Sequence, residues 1–296
     1  MPSLEHEMTV AALAQAGMGS KAFAEQRAFY DAALGAIALP ANVPIETVEI
    51  AGREADLVLA PGARSDRVVL HLHGGGYVLG SNRMYREFST RLSLATGLKL
   101  LVPDYRLAPE NQFPAALDDA EAAYRWLLQQ GHLPREIAIS GDSAGGGLAL
   151  ALAMRLRDSN VALPAAMVLM SPWTDLSLSG PASQPGAVDD PVMDRSNLIA
   201  MARAYAGEAI DHPSVSPSRG SVAGLPPILI FVGTRELLFD DARDLAASLA
   251  AAGVEHRLIE GKDLIHCWPV MAANAPESHS ALSQVHDFLA AALSSE

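Results

Sequence analysis

Apolar and polar positions alternate along this chain with two different periods, and the switches between them mark out the elements. Residues 4–16 and 21–34 carry apolar positions at helical spacing, so the chain is expected to start with two helices. Two short extended runs follow, Thr47 to Ile50 and Ala55 to Leu59, and Gly52 between them points to a hairpin. Runs rich in apolar residues at 67–73, 98–105, 135–141, 165–171, 227–233 and 255–261 then read as buried strands. Helical patterns at about 83–96, 115–130, 144–158, 240–252 and 277–293 lie between and after them. Buried strands alternating with helices predict an α/β architecture, a mostly parallel sheet with helices on both faces.

One interval leaves this rhythm. Residues 174–226 are rich in proline and hold a single good helical pattern, at about 195–206. Beside a sheet, an insertion of this kind is expected to form a cap over a site, and the plainer alternative is a long surface connection.

Composition narrows the class. A chain of 296 residues fits one large α/β domain or two small ones. With 50% hydrophobic and 19% charged residues it is globular in character. No apolar run approaches the roughly 18 residues of a membrane span, so no membrane partner is expected. A net charge of −13, with no stripe of Lys and Arg, argues against nucleic acid as a partner. Glu5 and Glu7 stand where a secretory leader would be basic, so the amino terminus reads as mature protein. The single cysteine, Cys267, leaves no intrachain disulfide and no cysteine-based zinc cluster, which suits a cytoplasmic setting.

The chemistry is concentrated at three turns. Gly141-Asp142-Ser143-Ala144-Gly145 has the form G-x-S-x-G, and it stands between the strand EIAIS and the helical run GGLALALAMRLRD. In that context the glycines let helix and strand approach while the serine hydroxyl projects from a tight turn. A serine hydroxyl is a weak nucleophile at neutral pH and needs an imidazole to take its proton, with a carboxylate to hold that imidazole.

His266, in GKDLIHCW, is the candidate base, because it follows the last expected strand and precedes the last helix. The other eight histidines precede the serine, lie away from a strand end or fall on the terminal helix. Three carboxylates compete for the third role. Glu236 lies three residues past Gly233, whereas Asp240 and Asp241 suit the cap and first turn of the next helix. Glu236 is the choice and Asp240 the reserve.

His73-Gly74-Gly75-Gly76-Tyr77 ends the strand RVVLHLH. Bare glycine backbone can approach a substrate, and fixed N–H donors stabilise a developing oxyanion by about 3 kcal/mol each. Gly75, Gly76 and the N–H of Ala144 are the expected donors. Neither glycine cluster completes a dinucleotide fingerprint or a P-loop, so no cofactor is expected. A structural role for His73 suits better than metal ligation with His71, and no metal is expected. Met18, Phe23 and Met201 are candidates for a pocket wall, although such residues at helical spacing are more often core.

The motifs HGGGY and GDSAGG, with Tyr105-Arg106-Leu107-Ala108-Pro109-Glu110 and the run Phe113 to Asp119 between them, occur here in one order. From about residue 45 to its end the chain resembles the hormone-sensitive-lipase family of bacterial esterases. The resemblance implies an eight-stranded α/β-hydrolase core over 46–296. It also implies a cap built from residues 1–45 and an insertion near 180–215, and cofactor-free hydrolysis of small, short-acyl carboxylic esters. Amide, lactone or carbamate cleavage would use the same residues. Relatives that only bind ligands, the gibberellin receptors of plants, have lost the histidine that His266 retains. Where the family usually has Asp-Pro-Leu, this chain has Glu236-Leu237-Leu238, one methylene longer. Monomer and homodimer both stay open, dimers being frequent in similar enzymes.

Overall fold

The computed structural model describes residues 1–16, 21–35, 37–40 and 42–294. Two helices lead, α1 (Leu4–Ala16) and α2 (Phe23–Gly35), followed by the strands β1 (Ile45–Ile50), β2 (Arg53–Val58) and β3 (Arg64–Leu72). Then come α3 (Arg86–Thr96), β4 (Leu98–Pro103), α4 (Ala115–Gln129), β5 (Ile137–Asp142), α5 (Ala144–Asp158) and β6 (Ala166–Met170). After α6 (Arg195–Ala206) the chain continues through β7 (Ile228–Arg235), α7 (Phe239–Ala251), β8 (His256–Ile265), α8 (Trp268–Met271) and α9 (Pro276–Ala292).

The eight strands form one sheet in the order β1-β2-β4-β3-β5-β6-β7-β8. β2 runs against both its neighbours, and β3 to β8 pair in parallel. Side chains alternate across the pleat, so each strand feeds two cores. On β5, Ile137 and Ile139 join the core under α4, α5 and α7, while Ala138 joins the one under α3 and α9. On β7, Ile228, Ile230 and Val232 take the first side, and Leu229 and Phe231 the second. Apolar residues on both faces are what the nearly unbroken hydrophobic strands required, each buried aliphatic side chain contributing about 1.5–3 kcal/mol.

Of the boundaries that differ from the sequence reading, two have a cause in the neighbouring turns. The helix expected from 83 starts at Arg86, because the side chains of Asn82 and Ser81 accept from the amides of Arg83 and Met84 and hold a turn there. The last strand continues past Gly261 to Ile265, with a register shift opposite Gly233 and Arg235. At that irregularity Asp263 takes a φ of 61° and its amide donates to Thr234 Oγ1. The polar pair Lys262-Asp263 hides this bulge from a periodicity argument.

The parallel strands bring the turns after β3, β5, β7 and β8 to one edge of the sheet, and α6 lies against that edge. Its Leu198, Met201 and Tyr205 are buried in the main core. α2 reaches the same edge through Arg27, which donates to the carbonyls of Val78 and Ala108 and pairs with Glu110. α1 is tied to the β8 end, where His6 Nε2 accepts from the Ile265 amide and Ser3 bonds Glu277. Among the described residues no helix is long and apolar enough to cross a membrane.

Candidate active site

Ser143 sits between β5 and α5 with φ 53° and ψ −124°, a conformation L-residues rarely adopt. The turn is held from both sides: Ser143 N–H donates to the Met170 carbonyl and Ser143 C=O accepts from Trp173, each at 2.9 Å. A side chain at Gly145 would collide with the Leu72 carbonyl, so the glycine is what lets α5 begin this close to β3. Ser143 keeps 8% of its surface exposed, while His266 keeps 2% and Glu236 none.

Glu236 leaves the end of β7 and its Oε1 lies 3.0 Å from His266 Nδ1. Its Oε2 accepts from the Gly233 amide at 2.8 Å and from the Ser171 hydroxyl at 2.8 Å. The reserve carboxylate, Asp240, instead accepts from the Ala182 amide. Asp241 accepts from the amides of Thr174 and Asp175, and burial pushes its carboxyl up to about 8. Both residues thus fasten the segment after β6 to α7.

Burial by itself would lower the His266 imidazole pKa, but the Cys267 sulfur and the Glu236 carboxylate carry it above its ordinary value. Burial also pushes the Cys267 thiol up to about 11. Cys267 Sγ lies 3.4 Å from His266 Nε2 and donates to the Met170 carbonyl. The same carbonyl takes the Ser143 amide, which sets the serine turn and the His266-Cys267 pair side by side at the end of β6.

Gly75 and Gly76 have φ values of 118° and 63°, and the Gly75 carbonyl accepts from Val78 and Leu79 to close the turn. A side chain at Gly76 would strike the Met201 sulfur, so α6 lies directly over this backbone. Tyr205 of α6 stacks on Tyr77 with ring centroids 3.8 Å apart and planes 3° from parallel. The run from Tyr105 to Asp119 braces the turn: Tyr105 donates to the His73 carbonyl, Ala108 N–H to that of Tyr77, and Arg106 pairs with Asp119. His73 Nδ1 bonds the Gly74 carbonyl, and burial first of all lowers its pKa to about 4, leaving the ring neutral. His71 Nδ1 is engaged with Ser140.

Phe23 is half-buried against the main core, and Met18 lies outside the described residues. Three polar residues at the site escaped the sequence reading. Asp142 Oδ1 accepts from the Gly74 amide and its Oδ2 from Tyr85, joining the serine turn to the glycine turn. Asp190, in the insertion, accepts from the amides of Val192, Met193 and Leu237, so the insertion is docked beside Glu236. Ser171 is the third. Only Asp142, inside the motif, had a local signal. A cleft of about 460 Å³ opens between the insertion and Leu237, lined by Val188, Met193 and Ile199 among others.

A serine on a strained strand-to-helix turn and an imidazole held by a carboxylate after a later strand of the same parallel sheet define an α/β-hydrolase. A family model described as an α/β-hydrolase fold matches residues 69–270. An acetyl-hydrolase of Streptomyces hygroscopicus is 40% identical over 265 residues, covering 89% of this chain and 88% of the relative. A crystal structure of an esterase from the bacterial hormone-sensitive lipase family superposes with a TM-score of 0.94 at 39% identity, covering 99% of both chains. EstE5, in a crystal soaked with p-nitrophenyl butyrate, superposes at 0.93 with 37% identity, covering 99% of this chain and all of that one. The chain belongs to the bacterial hormone-sensitive-lipase family of α/β-hydrolases.

Proposed function

We propose that this protein hydrolyses small carboxylic esters with short acyl chains, with Ser143 as nucleophile, His266 as general base and Glu236 as the carboxylate that orients it. That it is a carboxylic-ester hydrolase rests on its family and on relatives named acetyl-hydrolase and esterase. The observation that carries the residue assignment is the 3.0 Å contact between Glu236 Oε1 and His266 Nδ1. In this reading Nδ1–H donates to the carboxylate and Nε2 keeps the lone pair that accepts the serine proton.

In this reading the Ser143 oxygen attacks the ester carbonyl as its proton passes to His266 Nε2. The carbonyl oxygen takes up negative charge toward the N–H groups of Gly75, Gly76 and Ala144. Collapse expels the alcohol, which receives its proton from His266. A water then gives its proton to His266 and its oxygen to the acyl carbon, and as the acyl bond to Ser143 breaks His266 returns that proton to the serine oxygen, releasing the acid.

The alcohol must leave on the His266 side, and the cleft beside Leu237 is the room we assign to it. The acyl chain runs under a cap formed by residues 1–45 and the insertion near 180–215, where Met201 limits its length. Arg27, Tyr205 and Asp190 support this reading of the cap through their contacts with the turns below. We place the enzyme in the cytoplasm on the strength of its one buried thiol.

The test is a p-nitrophenyl ester series from acetate to decanoate, together with organophosphate labelling and peptide mass analysis. Turnover should be highest on the short esters, and the adduct should fall on the peptide containing Ser143. An adduct elsewhere, or none, would overturn the residue assignment.

A further inference from the structure

We infer that Ser171 is a positioning residue of this reaction: its hydroxyl locks the Glu236 carboxylate to the segment that carries the base. The inference rests on the function proposed above and extends it by one residue.

Ser171 follows the last residue of β6 and is completely buried. Its hydroxyl donates to Glu236 Oε2 at 2.8 Å and accepts from the Cys267 amide at 3.0 Å. One oxygen therefore joins the ends of β6, β7 and β8. The residue holds φ at 48°, with its own amide donating to the Phe231 carbonyl at 2.7 Å. A non-glycine residue persists in this region only where its surroundings over-determine it, so the position of the hydroxyl is tightly specified.

The chemistry explains why a clamp is needed here. Glutamate has one more rotatable bond than aspartate, so its carboxylate can reach the imidazole from several rotamers. Only when Oε2 is fixed does Oε1 stay on His266 Nδ1. Gly233 N–H supplies one donor to Oε2 and Ser171 the other. Two donors on one oxygen fix the carboxylate plane. The bond from the Cys267 amide fixes the chain one residue beyond the imidazole. Both partners of the acid–base contact are thus registered against the same hydroxyl. It touches neither substrate nor the reacting atoms, and so acts only through Glu236 and His266.

The experiment compares steady-state hydrolysis of p-nitrophenyl acetate by the wild type and five variants: Ser171→Ala, Ser171→Gly, Glu236→Gln, the double variant Glu236→Gln with Ser171→Ala, and Ser143→Ala. Ser171→Gly removes the hydroxyl while relieving the positive φ, so it separates loss of the clamp from backbone strain. Each Ser171 single variant should lower kcat about 20-fold with KM within about twofold, the signature of a misoriented base. In the Glu236→Gln background, Ser171→Ala should cost no more than about twofold, because the carboxylate it held is gone. Wild-type kcat in either Ser171 variant would overturn the inference. So would an equal loss with and without Glu236, or loss of the thermal unfolding transition in both variants, since each describes a residue that serves only the fold. If Ser143→Ala kept wild-type rates, the proposed function itself would fall; if it were inactive while Ser171→Ala was not, only this inference would.

Discussion

The two halves of the site are built differently. The half proposed to hold the oxyanion, Gly74 to Tyr77 with Ser143 and Ala144, consists of contiguous motifs shaped by backbone: positive φ values and close approaches. The half proposed for acid–base chemistry is assembled from side chains brought together from distant places, Ser171, Asp190, Glu236 and His266. Backbone geometry admits few residue types at each place and so leaves a motif. A hydrogen bond between side chains can be supplied from many positions, and so leaves almost none. The oxyanion half should therefore fail by steric collision when altered, and the acid–base half by misorientation.

The sharpest test of the whole comparison is Ser143→Ala, where the halves meet. It should lower kcat by on the order of 10^5-fold while the fold persists, read by steady-state rates and circular dichroism. Comparable wild-type activity would remove the basis for both halves.

Next in size is Glu236→Gln, which should lower kcat/KM about 10^3-fold, since the amide can no longer hold the imidazole in the right tautomer. Its pH profile carries the sign. In its proposed role His266 acts when neutral, so activity should rise as pH passes its pKa, which burial lowers and the Cys267 sulfur and Glu236 charge raise. Removing the Glu236 charge should move the acid limb of kcat/KM to lower pH. A limb that moved up, or stayed still, would place the governing charge elsewhere.

On the oxyanion half, Gly76→Ala should cost about 10^2-fold in kcat, through the positive φ and the collision with Met201. The loss should be partly recovered by adding Met201→Ala, which clears the collision. No recovery would show that the strain lies in φ alone.

The smallest effect belongs to the cap. Met201→Ala alone should raise the ratio of octanoate to acetate turnover by about 5-fold, in line with 1–3 kcal/mol per methylene of pocket room. An unchanged ratio would free Met201 from the acyl side.

How much of this was legible in advance differs between the halves in the same way. The helices at 4–16, 144–158 and 195–206 lie where periodicity put them: α6 buries one face, and α5 is buried almost all round. The strands β3 to β7 likewise follow from hydrophobic runs with two buried faces. The end of β8 was missed, since a bulge at polar Lys262-Asp263 breaks the pattern without ending the pairing. At the site, the glycine and serine turns could be read directly. Asp190 could not, because nothing in GAVDDPVM marks which aspartate will cap the Leu237 amide.

Sequence alone determined the α/β class, the strand-to-helix turn at Ser143, the glycine turn after β3 and the position of His266 after the last strand. These depend on local conformation and on the burial of one chain segment at a time. Only the tertiary structure decided which of three nearby carboxylates meets the imidazole, that Met201 covers Gly76, and that Ser171 joins Glu236 to Cys267. Those contacts link residues 30 to 125 positions apart, and hydrogen bonds and collisions are fixed at the scale of an ångström. Spacing along a chain cannot carry that precision; the packed sheet, by fixing the strand ends relative to one another, does.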